Sequence, residues 1–213
     1  MAHPDREREY ERIVDELLER HAATFSRAEV EDVVGDSRRR LEATATVDTY
    51  LPVFVQRFAR ERLGSLARGR GGPEKGVTRL LFVCNGNAGR SQMAAAFATA
   101  LGEGRCVASS AGINPLQSVL PEVGAAMRER GIELPEAFPK PVTEDVMSAA
   151  DVVVGLGVDE GQLPEARRTV LWDIPPVVDR SPEEVRAARD DIEARVAELV
   201  ADLGEEGSVG AAS

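Results

Sequence analysis

The 213-residue sequence predicts an α/β fold, a four-stranded parallel sheet with helices on both faces, preceded by a small three-helix bundle. Three observations carry this reading. The hydrophobic period changes near residue 70, from stripes at three- to four-residue spacing to short apolar runs that alternate with helix-forming segments. A Gly- and Pro-rich stretch, RGRGGPEKG, lies at the change and looks like a linker. A loop with two glycines directly follows the first apolar run, where open α/β sheets take their ligands. The expected organisation is a helical bundle over 1–70, a linker over 71–77, the α/β domain over 78–204 and a flexible tail over 205–213.

The elements follow in order. Ile13, Val14, Leu17 and Leu18 form one apolar stripe on an otherwise charged first helix. Ser26-Arg27-Ala28-Glu29 is a capping-box signature, after which Val30, Val33, Val34 and Leu41 continue a second helix. A third is expected from near Asp48, with Leu51, Phe54, Val55, Phe58 and Leu63 on one side. Pro52 falls in its first turn, where a missing amide proton costs little. Beyond the linker, Leu80-Leu81-Phe82-Val83 suits a strand buried on both faces. A helix over 91–101, a strand over 105–109 and a helix over 122–130 come next, the last ending at Gly131 as a left-handed cap. Thr143 is placed to cap a further short helix, and Asp151-Val152-Val153-Val154 and Thr169-Val170-Leu171-Trp172 read as strands. Ser181-Pro182-Glu183-Glu184 supplies cap, first-position Pro and capping-box Glu for a last helix to about Leu203.

Composition excludes several classes. At 43% hydrophobic and 30% charged, the chain is too apolar for wholesale disorder. No window approaches the roughly 18 consecutive apolar residues of a membrane span, and the charged start is not a secretory signal. Two cysteines cannot build a disulfide scaffold, so the expectation is a cytoplasmic protein with reduced thiols. His3 and His21 lack ligand-spaced companions, and no metal site is expected. The net charge of −11 is uneven: residues 1–72 carry 13 Arg against 14 acids, and the remainder carries 13 basic residues against 23 acids. Neither part has the basic footprint that nucleic acid demands.

The chemistry concentrates in Cys84-Asn85-Gly86-Asn87-Ala88-Gly89-Arg90-Ser91, a Cys-x5-Arg-Ser loop between a strand and a helix. Gly86 and Gly89 are expected to take positive φ, so that the backbone N–H groups of Asn85 to Arg90 converge on one tetrahedral oxyanion. The positive end of the following helix adds to that field, and Arg90 offers a planar fork for two oxygens. The same field favours the Cys84 thiolate, the nucleophilic form of a cysteine. Ser91 is placed to hydrogen-bond that thiolate and Asn87 to brace the loop. A cysteine at a strand end is often no more than a small buried hydrophobe. Here the glycine pair, the arginine, the serine and the strand–helix setting together favour an oxyanion site.

Residues 78–203 resemble the low-molecular-weight protein tyrosine phosphatase family, and within it the arsenate reductases. Cys84-Asn85-Gly86-Asn87 is similar to the phosphatase form of the loop, and Ala88-Gly89-Arg90-Ser91-Gln92-Met93-Ala94-Ala95 to the reductase form, with Gln where phosphatases commonly have Pro. Ser110-Ala111-Gly112, Pro139-Lys140-Pro141, the run from Asp145 to Val154, Trp172-Asp173-Ile174-Pro175 and the last helix agree with the reductases. The first 70 residues are similar to a three-helix module fused to such reductases in high-GC Gram-positive bacteria, which leaves the module's role open.

Two departures from the family bear on mechanism. Thioredoxin-coupled members carry further redox cysteines in the loop after the third strand. Here Gly155-Leu156-Gly157-Val158-Asp159-Glu160-Gly161 has Val158 at the expected cysteine, so an internal disulfide relay is missing and Cys106 is read as core packing. The family's general acid is an Asp directly before Pro beyond the fourth strand. The segment Trp172-Asp173-Ile174-Pro175-Pro176-Val177-Val178-Asp179-Arg180 has no such pair, which leaves Asp173 or Asp179 as candidates. Proton donation to a leaving group contributes about 10²–10⁴-fold, so this gap weakens a phosphatase more than an oxyanion binder.

The resemblance thus implies an arsenate reductase with Cys84 as nucleophile, Arg90 and Ser91 assisting, and no bound cofactor. Reductant would come from outside, as mycothiol with a mycoredoxin in the single-cysteine members. Two readings stand beside it: a phosphatase for phosphotyrosine or a small phosphomonoester, and an oxyanion-binding or interaction protein with little catalysis. A homodimer through the helical bundle is compatible with its amphipathic faces.

Overall fold

The computed structural model describes residues 4–43, 50–71, 77–135, 137–163 and 165–209. The chain divides into two compact units, Met1–Lys75 and Gly76–Ser213.

The first unit holds α1 (Pro4–His21), α2 (Arg27–Glu42) and α3 (Leu51–Gly69). Ile13, Val14 and Leu17 of α1 are buried with Val30, Val34 and Leu41 of α2 and with Leu51, Val55, Phe58 and Leu63 of α3. The three stripes therefore close on one another. The capping box at Ser26 is formed, with the Ser26 amide donating to Glu29 Oε2 at 2.8 Å and the Glu29 amide to Ser26 Oγ at 3.4 Å. The expected start of the third helix near Asp48 lies outside the described residues; the helix runs from Leu51 with Pro52 in its first turn. Of the expected linker, residues 72–76 also lie outside them.

The second unit is one four-stranded sheet in the order β2-β1-β3-β4, made of β1 (Thr78–Cys84), β2 (Cys106–Gly112), β3 (Val152–Leu156) and β4 (Thr169–Trp172). Every pairing is parallel, so each return crosses a face of the sheet. The twofold alternation of β1 divides its side chains between two cores. Leu80, Phe82 and Cys84 pack with residues from α4 (Arg90–Gly102), α5 (Pro121–Arg128) and α7 (Pro182–Val209). Leu81 and Val83 pack on the opposite face with Val146 and Met147 of α6 (Glu144–Ala149). This burial on both faces explains why β1 reads as an unbroken apolar run.

Two expectations need correction. Thr143 occupies the residue before α6 but makes no side-chain cap bond, and its buried Oγ1 has no partner among the described residues. With only six residues, that helix is anchored by Val146 and Met147 in the core rather than by its cap. The last helix does not stop near Leu203 but continues to Val209, since no proline interrupts it; Gly210 to Ser213 lie outside the described residues. Its start is the expected one, with Ser181 and Glu184 exchanging bonds at 2.9 and 3.3 Å.

Candidate oxyanion-binding active site

The site is the loop between β1 and α4, at the carboxyl edge of the central strand. Six consecutive carbonyls there are tied outward. Cys84 O accepts from the Ile113 amide at 3.1 Å, Asn85 O from Asn114 at 2.8 Å, Gly86 O from Leu116 at 2.9 Å, Ala88 O from Leu120 at 2.9 Å and Gly89 O from Met93 at 2.9 Å. Asn87 O accepts from Gln92 Nε2 at 3.0 Å. In a trans peptide the carbonyl and the following N–H point in opposite directions. Anchoring six carbonyls outward therefore turns the succeeding amides, those of Asn85 to Arg90, toward one another, and among the described residues the amides of Gly86 to Arg90 donate to no protein acceptor. Amide donors left without a protein acceptor make this loop a candidate oxyanion site.

The backbone reaches this shape differently from the expectation. Neither Gly86 nor Gly89 has positive φ; the left-handed residue is Asn87, at φ 46°. Asn tolerates that region because its side chain can bond locally. Here Asn87 Oδ1 accepts from the Lys140 amide at 3.0 Å, and Nδ2 donates to Ser91 Oγ at 2.9 Å. The glycines serve close packing instead. A Cβ on Gly89 would lie 2.5 Å from Val177 Cγ2, and one on Gly86 3.0 Å from Leu116 Cγ.

Cys84 is buried, with its sulfur 3.0 Å from Ser91 Oγ. Arg90 is buried as well, and Nη1 donates to the Ile174 carbonyl at 2.8 Å. Burial pulls the Arg90 guanidinium below its ordinary pKa, while the facing Cys84 sulfur works in the opposite sense. Among the described residues no carboxylate pairs with this cation, which suits it to an incoming anion. Asn85 is exposed at the rim, where its Oδ1 accepts from Asn114 Nδ2 at 2.9 Å.

Asp173 and Asp179 are not drawn into this set. Both are exposed, and neither hydrogen-bonds to Cys84, Arg90 or Ser91 among the described residues. Asp173 acts electrostatically on Arg195 of α7, and Asp179 occupies a left-handed turn at φ 55°. The residues that do face the loop from their segment are Ile174, through its carbonyl, and Val177. Cys106 lies at the far end of the sheet: it pairs with Thr78, while Cys84 pairs with Gly112. Six strand residues separate the two thiols, about 20 Å. Burial also raises the Cys106 thiol above its ordinary pKa. Among the described residues no three His, Cys, Asp or Glu side chains are grouped to hold a metal ion.

Residues 79–209, more than half of the chain, match the family model for low molecular weight phosphotyrosine protein phosphatase. The chain belongs to this phosphatase family. Residues 10–67 match a second model, the N-terminal domain of protein-tyrosine-phosphatase-like proteins. Among relatives of the family, a putative arsenate reductase of Halobacterium salinarum is 37% identical over 129 residues, which cover 58% of this chain and 91% of that one. A solved thioredoxin-dependent arsenate reductase of Corynebacterium glutamicum matches both units, covering 92% of this chain and 97% of its own at 30% identity and TM-score 0.82. An arginine phosphatase of Geobacillus stearothermophilus covers 61% of this chain at 26% identity and TM-score 0.55.

Several members of the site went unassigned in the sequence. Gln92, Ile174, Gly157 and the Lys140 amide all touch the loop or Arg90. Gln92 stood out there only as a mark of the reductases. The others come from segments more than 45 residues away, and no local spacing announces them.

Proposed function

We propose that this protein reduces arsenate to arsenite, with Cys84 as the nucleophile. The observation that carries the reading is an amide cradle with the Cys84 sulfur and the Arg90 guanidinium at its base and the second thiol about 20 Å away. The names of the matching relatives support the same substrate.

In this reading the cradle amides and Arg90 bind tetrahedral arsenate as they would phosphate. The Cys84 thiolate attacks arsenic, a sulfur–arsenic bond forms, and one arsenic oxygen leaves as water. An external thiolate then attacks the Cys84 sulfur. The sulfur–arsenic bond breaks with its electron pair remaining on arsenic, which leaves as arsenite, and a mixed disulfide forms. A second external thiol regenerates Cys84 and carries away the disulfide, so two thiols are oxidised for each arsenic reduced. Val158 and the position of Cys106 favour an external rather than an internal thiol. We infer mycothiol with a mycoredoxin as that source; the thioredoxin dependence of the Corynebacterium glutamicum reductase makes thioredoxin the alternative. Both act in the cytoplasm, where thiols stay reduced. Among the described residues, no helix is long and apolar enough to cross a membrane. The helical unit is proposed to pair two copies of the chain, with Tyr50 and Val53 exposed at the start of α3.

The test supplies arsenate with either mycothiol and mycoredoxin or thioredoxin and its reductase, and follows oxidation of the reductant. Cys84→Ser abolishes turnover and Cys106→Ser leaves it unchanged. Equal loss in both variants would make Cys106 a resolving thiol and overturn the external-thiol step. A phosphatase is the second reading, favoured by the arginine phosphatase fold match. Hydrolysis of p-nitrophenyl phosphate faster than arsenate reduction would put it first.

A further inference from the structure

Gln92 is the residue after Ser91 in the first turn of α4, and only 6% of it is exposed. Its Nε2 lies 3.0 Å from Asn87 O, 3.2 Å from Asn87 Oδ1 and 3.0 Å from Phe138 O. One amide group thus ties the anion loop to the 138–140 segment. That segment returns a second bond, from the Lys140 amide to Asn87 Oδ1 at 3.0 Å.

These contacts fix proton directions down to the sulfur. A backbone N–H can only donate, so the Asn87 atom facing Lys140 is the oxygen and the one facing Ser91 is the NH₂. Asn87 therefore donates to Ser91 Oγ at 2.9 Å and occupies an acceptor site on it. The Ser91 proton is left for the Cys84 sulfur, 3.0 Å away, which favours the thiolate. Gln92 also holds the Asn87 carbonyl outward. Asn87 is at φ 46°, and a turn of its peptide would point that carbonyl into the cradle and the Ala88 amide out of it.

We propose that Gln92 is a positioning residue for Cys84: through Asn87 and Ser91 it sets the proton that the thiolate accepts, without touching the sulfur or the anion. The assignment rests on Cys84 being the nucleophile and deepens that reading. The charged group that faces the sulfur is Arg90, and the neutral ones in the relay are Ser91 and Asn87.

The experiment follows alkylation of Cys84 by iodoacetamide in the full chain from pH 5 to 9, read by mass spectrometry of its peptide. Gln92→Met, which keeps the side chain's length and removes its donor, is expected to move the midpoint up by about half to one pH unit. In a Ser91→Ala background the same change is expected to leave the midpoint where Ser91→Ala has already put it, because the relay is broken beyond Gln92. A wild-type midpoint in folded Gln92→Met overturns the proposal, as does an undiminished shift in the Ser91→Ala background. If Gln92→Met does not fold, Gln92→Asn is read in the same way, since it is one methylene too short to reach all three oxygens. Arsenate turnover is not part of this readout, so failure of the reductase reading and failure of this one are told apart.

Discussion

Replacing Gly157 by alanine probes the site where it is packed most tightly. Gly157 follows β3 in a left-handed conformation at φ 59°, and its amide donates to the Trp172 carbonyl at 2.9 Å. A Cβ there would overlap Arg90 Nη1 and lie 2.6 Å from the Ile174 carbonyl that holds the guanidinium. Two effects follow, and they separate in measurement. The left-handed backbone costs an L-residue about 1–2 kcal/mol, which lowers the thermal midpoint by a few degrees. The displaced guanidinium loses its bond to Ile174 and its alignment with the anion. A hydrogen bond to a charged group contributes about 1.5–3 kcal/mol, so kcat/KM for arsenate should fall by about 10- to 150-fold. Arsenate reduction at saturating reductant measures the second effect, and thermal unfolding monitored at Trp172 measures the first. A Gly157→Ala enzyme that is destabilised but keeps kcat/KM within twofold would show that the Arg90 geometry does not control the reaction.

Three further outcomes follow from the packing and charge pairing of the fold. Gly89→Ala forces a methyl against Val177 Cγ2 and should cost about 1–3 kcal/mol of stability; Val177→Ala in the same chain should restore most of it, and a strictly additive pair in denaturant titration would refute the contact. Cys106 should stay slow toward a disulfide reagent in the native protein, because burial raises its thiol, and should react fully only on addition of denaturant. Glu129, bonded to Arg186 and Arg189 at 2.8 Å, is held down to a pKa of about 2. A depressed carboxyl stabilises the fold above its unfolded value and loses that contribution as pH falls toward the folded one. Glu129→Gln should therefore be less stable than wild type at pH 7, and the difference should shrink between about pH 4.5 and 2 in a thermal series; a gap independent of pH would refute the pairing.

What the sequence revealed depended on how local each feature was. Cys84, Arg90 and Ser91 lie within eight residues, and the strand and helix around them dictate how such a loop can fold. The apolar runs of β1 and β3 were legible because central parallel strands are buried on both faces. Which residue of the loop turns left-handed was not, because Asn87 is stabilised by the Lys140 amide, 53 residues away. Arg90 likewise finds its carbonyl acceptor 84 residues on, in the segment that holds Asp173 and Asp179. The end of α7 was missed because Gly204, directly after Leu203, reads as a helix-ending glycine, whereas the helix carries it inside and runs on to Val209.

The outward-tied carbonyls of the loop are held by the protein itself. Most of their partners are backbone amides of the segment after β2, so the cradle has its shape before any anion arrives. A cavity that does not close on its guest judges only size and charge. Phosphate and arsenate are alike in both, and the two must compete for the same seat. Phosphate would then raise the arsenate concentration needed for half-maximal turnover, and its supply would act as a brake that needs no separate regulatory site.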